Sequence, residues 1–166
     1  MTLPSWIRVV PKMEAERLHS ELPHVLGTEP PFDILAVCKH YRIEAFAYTF
    51  SPTLDGCLIR DGEYYAIGVN SKHPRARRRF SAAHELYHFL NHRWSMPDAS
   101  CLTSPGPDSE EEAQATIFAA ELLMPAAMMP LAWVRCRNAK LLAQYFGVSV
   151  SAVAKRLQEL GLARRH

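Results

Sequence analysis

The sequence predicts an α+β fold: a small antiparallel β-sheet packed with helices, a central motif-bearing helix, and a C-terminal helix pair of helix-turn-helix type. Three observations carry this. Cys57–Arg60 and Glu63–Val69 flank Asp61-Gly62, a strong two-residue hairpin signal. Ala83, Leu86, Tyr87 and Leu90 recur at helical spacing through the stretch Phe80–His92. Near the end, two helical segments meet at Gly147-Val148-Ser149.

The elements follow in order. Met13–Leu26 is amphipathic and interrupted at Pro23, and Pro30-Pro31 then punctuates the chain. Phe32–Tyr41 reads as a helix with Ile34, Leu35, Val37 and Cys38 on its packed side. Across Arg42–Phe50 the period changes: Phe46, Tyr48 and Phe50 alternate with Ala45, Ala47 and Thr49, as in a strand. Ser51-Pro52 and Asp55-Gly56 are turn signals before the hairpin. Lys72–Arg79 carries five cations and reads as a solvated loop, with Ser81 as N-cap of the helix behind it. Trp94–Asp108, rich in proline, reads as a loop. Helices are expected from Ser109 to near Pro125, over Met128–Arg135, and over Asn138–Phe146 and Ser149–Leu160.

Size and composition narrow the class. At 166 residues, 48% hydrophobic and 22% charged, the chain reads as a soluble globular protein with a sizeable core. A net charge of +2 says little about partners. No apolar run approaches the roughly 20 residues of a membrane span, and the start lacks a secretory h-region. A cytoplasmic location is expected. Cys38, Cys57, Cys101 and Cys136 form no C-x-x-C pair and read as small buried hydrophobes.

The chemistry-bearing stretch is His84-Glu85-Leu86-Tyr87-His88. On a helix His84 and His88 lie one turn apart on one face, where both imidazoles can reach one Zn²⁺. Glu85 beside them suits a general base toward a water activated by the metal. A hydrolytic zinc site usually takes a third protein ligand. His92 continues the four-residue series but lies about 12 Å along the axis from His84, too far to converge, and reads as an exposed residue. The Glu110–Glu112 run heads the next helix. Glu110 falls on the side away from the apolar face, whereas Glu111 and Glu112 flank that face and both remain open. Ser109 with Glu112 also matches a capping box.

With both helices placed, the sequence resembles the ImmA/IrrE family of zinc-dependent metallopeptidases. The matching segments are Arg79-Phe80-Ser81-Ala82-Ala83-His84-Glu85-Leu86-Tyr87-His88 and the run from Glu112-Ala113-Gln114-Ala115 to Leu122-Leu123-Met124-Pro125. A third match is Phe146-Gly147-Val148-Ser149, followed by Ala152-Val153 and Arg156-Leu157. Together they cover roughly residues 33 to 162. The resemblance implies Zn²⁺ held by His84, His88 and Glu112, with Glu85 as general base. It implies one metallopeptidase domain: 1–31 an N-terminal extension, 32–125 a zincin-like core, and 126–166 the C-terminal helices. It also implies cleavage of a partner transcriptional repressor of the Xre helix-turn-helix type. Tyr87 replaces the usual Gly, Thr116 the usual Asn or Asp, and Gln114 takes an alternative Glu position. Tyr87, His73 and Tyr65 are candidate site-lining residues. A substrate strand is expected to add to an edge of the Glu63–Val69 hairpin strand.

A rival reading makes the protein a DNA-binding or toxin-antitoxin-type regulatory module with a structural or vestigial zinc site. Its recognition helix offers only Lys155 and Arg156 as cations, so direct nucleic-acid binding is the weaker expectation.

Overall fold

The computed structural model describes residues 5–102 and 109–163. The chain runs through α1 (Ser5–Glu21), α2 (Pro23–Leu26), α3 (Ile34–His40), β1 (Ile43–Tyr48), β2 (Gly56–Asp61) and β3 (Tyr64–Asn70). It continues through α4 (Arg75–His92), β4 (Ser100–Leu102), α5 (Glu110–Leu123), α6 (Met129–Cys136), α7 (Ala139–Phe146) and α8 (Val150–Glu159). The α+β class stands, and among the described residues no helix is long and apolar enough to cross a membrane.

The sheet order is β1-β3-β2-β4. The expected hairpin is present, with β2 antiparallel to β3 and Asp61 opposite Tyr64. Gly62 at φ +59° supplies the left-handed residue that its two-residue turn requires. The sheet is mixed rather than wholly antiparallel, because β1 runs parallel to β3. The physical reason is the 49–55 connection, which carries β2 one place beyond β1 and leaves β3 to fill the gap. Asn70, fully buried, fixes that connection: its Nδ2 donates to the carbonyls of Ser51 (3.0 Å) and Leu54 (2.9 Å).

The loop expected over Trp94–Asp108 contains β4, which pairs antiparallel with β2; residues 103–108 lie outside the described residues. Three residues are too short a strand to show a period. β3 lies between β1 and β2, so the hairpin strand expected to receive substrate has no free edge. The edges belong to β1 and β4.

Further expectations change. The basic run is the first turns of α4, not a loop, with Pro74 at the N-cap position. Ser81 lies inside the helix and donates to the Arg77 carbonyl (3.1 Å). Arg79 is not solvated either: its guanidinium donates to the carbonyls of Gly147 (3.1 Å) and Phe32 (2.9 Å), tying α4 to the α7–α8 turn. Cys38 and Cys57 are buried as expected, but Cys101 is exposed on β4.

One apolar core joins these elements. Ala15 and Leu18 of α1, Leu58 and Ile67 of the sheet, Leu86 of α4, Phe118 of α5 and Phe146 of α7 belong to a single buried cluster. α4 and α5 pack side by side within it, with the sheet on one side of α4 and α1 along α5. This pairing of α4 with α5 sets the geometry of the site.

Candidate metal centre

α4 is held along its length by buried Ala82, Ala83, Leu86 and Phe89. That packing leaves His84 and His88 pointing toward the head of α5. There Ser109 caps the helix, its hydroxyl accepting from the Glu112 amide (3.2 Å). Only half of the expected capping box forms, because the Glu112 carboxylate turns away to the histidines. Its Oε2 lies 2.9 Å from His84 Nε2 and its Oε1 3.0 Å from His88 Nε2, and the two Nε2 atoms are 3.2 Å apart.

These separations test the fit of a metal. Ligand distances of about 2.0–2.2 Å in a tetrahedral site put donor atoms about 3.3 Å from one another. One ligand atom from each of His84, His88 and Glu112 lies within 4.8 Å of the others, a group that could hold a metal ion. Among the described residues, Glu112 Oε1 is also buried without a well-formed hydrogen bond, despite its proximity to His88. Two ring nitrogens and an under-satisfied carboxylate oxygen facing one point are what a divalent cation would satisfy. Burial raises the Glu112 pKa, but the hydrogen bond with His84 and the proximity of both His84 and His88 outweigh it. The carboxyl is held well below its ordinary range, ready as an anionic donor.

Glu111 is exposed, and Gln114 is engaged elsewhere: its Nε2 donates to Glu110 (3.2 Å) and its Oε1 accepts from Tyr87 (3.1 Å). Of the residues left open, Glu112 is the one brought to the histidines.

Glu85 is buried at 5% exposure and lies over Gly56 of β2. A Cβ at Gly56 would stand 3.4 Å from both Cγ and Oε1 of Glu85, and 3.0 Å from the Gly68 carbonyl oxygen. Glycine there makes the berth for this carboxyl. Burial raises the Glu85 pKa to about 8, with His88 opposing and Glu112 adding to the rise. A carboxyl tuned near neutrality suits proton transfer at physiological pH.

The candidate lining residues are placed differently. Tyr87 is turned into the core against Phe118, ring centroids 5.2 Å apart, with its hydroxyl spent on Gln114. His73 Nδ1 sits 3.0 Å from Asp55 Oδ1. Tyr65 packs edge-on against Phe89 at 5.1 Å.

His92 is half-buried, not exposed, and its Nδ1 stands 3.1 Å from His88 Nδ1. The distance argument that removed it as a ligand holds, yet the same four-residue spacing places it behind His88. Gly56 was legible only as a turn signal, and its contact with Glu85 spans 29 positions.

The IrrE N-terminal-like domain of peptidase family M78 matches residues 42–158, more than half of the chain. The chain belongs to this family. That family is one of metallopeptidases. The fold of this M78 chain is also similar to that of a Mycobacterium tuberculosis transcriptional regulator, with a TM-score of 0.59 at 18% identity. That match covers 90% of this chain and 46% of the regulator, so the M78 chain spans less than half the regulator's length. No curated protein matches the chain.

Proposed function

We propose that this M78 protein is a cytoplasmic zinc-dependent endopeptidase that cleaves a partner transcriptional repressor of the Xre helix-turn-helix type. The convergence of His84, His88 and Glu112 at donor-atom separations of 2.9–3.2 Å carries the reading. Bound Zn²⁺ supplies Lewis acidity and makes water acidic near neutral pH.

The chain's own residues do the rest. His84 Nε2, His88 Nε2 and Glu112 hold the ion, and His92 fixes the orientation of the His88 ring. Glu85 Oε1 takes a proton from the attacking water and passes it to the leaving amine. The substrate strand adds to the outer edge of β4, an edge of the sheet among the described residues; β4 is the strand next to β2 and its Gly56–Glu85 contact. The whole chain acts as one metallopeptidase domain, with the helices after residue 125 as a platform for the partner.

The DNA-binding rival loses one of its two cations. Arg156 is 2% exposed, ion-paired with buried Glu121, and donates to the Met124 carbonyl (3.1 Å). Lys155 is the exposed cation left on α8.

The test is incubation of the zinc-loaded protein with a purified Xre-type repressor, followed by mass spectrometry. One discrete cleavage, lost in Glu85→Gln while that variant still binds the repressor, is expected. Equal cleavage by Glu85→Gln would refute the assigned base, and binding without cleavage by the wild type would favour a binding module.

A further inference from the structure

We propose that the cavity between α3, β1 and the first turns of α4 binds a small amphipathic anion, a singly charged carboxylate on a short aliphatic body. The cavity follows from the small-large alternation of β1. Ala45 and Ala47 lie on the strand face turned toward α4 and stay exposed, because their side chains are too short to fill the space below the helix. The space left is about 470 Å³, within the roughly 300–1,000 Å³ range of small-molecule pockets.

Its walls are apolar where they are deep, with Ile34, Ile67, Val69 and Ala82 among the lining residues. Its charged lining is Arg75, Arg78 and Arg79 against Asp33. Arg79 is committed to the Gly147 and Phe32 carbonyls, and its pKa is lowered first by burial and then by Arg75, with Asp33 working the other way. The Asp33 carboxylate already accepts from the Ala36 amide. Arg78 differs: it is half-buried on the cavity wall, and its Nε has no hydrogen-bond partner among the described residues. Its guanidinium keeps an N–H to give, and a carboxylate is the group that fork fits. Asp33 on the same wall disfavours a doubly charged head. None of His84, Glu85, His88 and Glu112 lines this cavity, so it is separate from the candidate metal centre.

Isothermal titration of the full chain with decanoate below its self-association concentration, beside decan-1-ol, tests the assignment. One decanoate per chain is expected, with decan-1-ol bound about tenfold or more weakly. Arg78→Gln should bring decanoate close to decan-1-ol. Ala47→Phe, at an exposed position, should fill the cavity and weaken both ligands. His88→Ala should bind decanoate as the wild type does, which keeps this test independent of peptidase activity. Absence of saturable binding by the wild type overturns the proposal. So does equal binding of the two ligands, or decanoate binding unaffected by Ala47→Phe.

Discussion

The Nδ1 atoms of His88 and His92 stand 3.1 Å apart, with the Nε2 of His88 turned to Glu112. An imidazole that gives its Nε2 lone pair to a metal carries its proton on Nδ1, so with a metal bound His88 would donate and His92 would accept. His92 then holds its own proton on Nε2. Replacing His92 with Ala is expected to lower metal affinity about 10–100-fold, as removal of such supporting partners does. Competition against a chelator of known affinity measures it. Unchanged affinity would show that the contact is idle.

Glu85 gives a pH signature in the metal-free protein. Its folded pKa, about 8, lies above the ordinary 4.5, so the folded state binds more protons between those values. Stability is highest below pH 4.5 with respect to this group, and it falls as pH rises toward 8. Glu85→Gln removes that loss. The variant should match the wild type at pH 4 and exceed it by up to about 4 kcal/mol at pH 8. Urea unfolding across this range checks it, and a pH-independent difference would contradict it.

Gly56→Ala tests the berth under Glu85. The added Cβ meets the Gly68 carbonyl oxygen at 3.0 Å, and backbone on a central strand pair cannot yield easily. A loss of about 1–3 kcal/mol in unfolding free energy is expected, as for other overpacked sites. Peptidase activity should drop further than stability explains, because the same Cβ crowds the Glu85 carboxyl.

Arg156 should behave as a core residue. It pairs with Glu121, whose Oε1 also accepts from the Ala126 amide (2.7 Å), so the pair ties α8 to the end of α5. Arg156→Met leaves Glu121 buried and uncompensated, at an expected cost of about 3–5 kcal/mol. Adding Glu121→Gln should recover part of that loss. Thermal unfolding of the single and double variants measures both, and a neutral Arg156→Met would contradict the burial seen here.

The parts legible in the sequence were those that speak through local spacing. The four-residue step from His84 to His88 and the hairpin turn at Gly62 are properties of single elements. The convergence with Glu112 became readable only through the resemblance, since helix geometry left Glu111 equally open. What stayed hidden depends on which elements meet. The start of α4 was misplaced because Arg75–Arg79 looks solvated until the Gly147 and Phe32 carbonyls arrive from distant segments. β4 carries too few residues to show a pattern and covers the outer side of β2, while β1 takes the other side of β3. The burial of Arg156 needed a carboxylate from α5, and the Gly56 contact needed a helix that begins 19 residues later.

The central claim is that two imidazoles and one carboxylate form a single metal site. Metal content of the purified protein under zinc-replete conditions, by inductively coupled plasma mass spectrometry, tests it most directly. One zinc per chain is predicted for the wild type and for Glu85→Gln, falling well below one in His88→Ala and Glu112→Ala. A wild-type chain without stoichiometric metal, or full retention in both ligand variants, would contradict it.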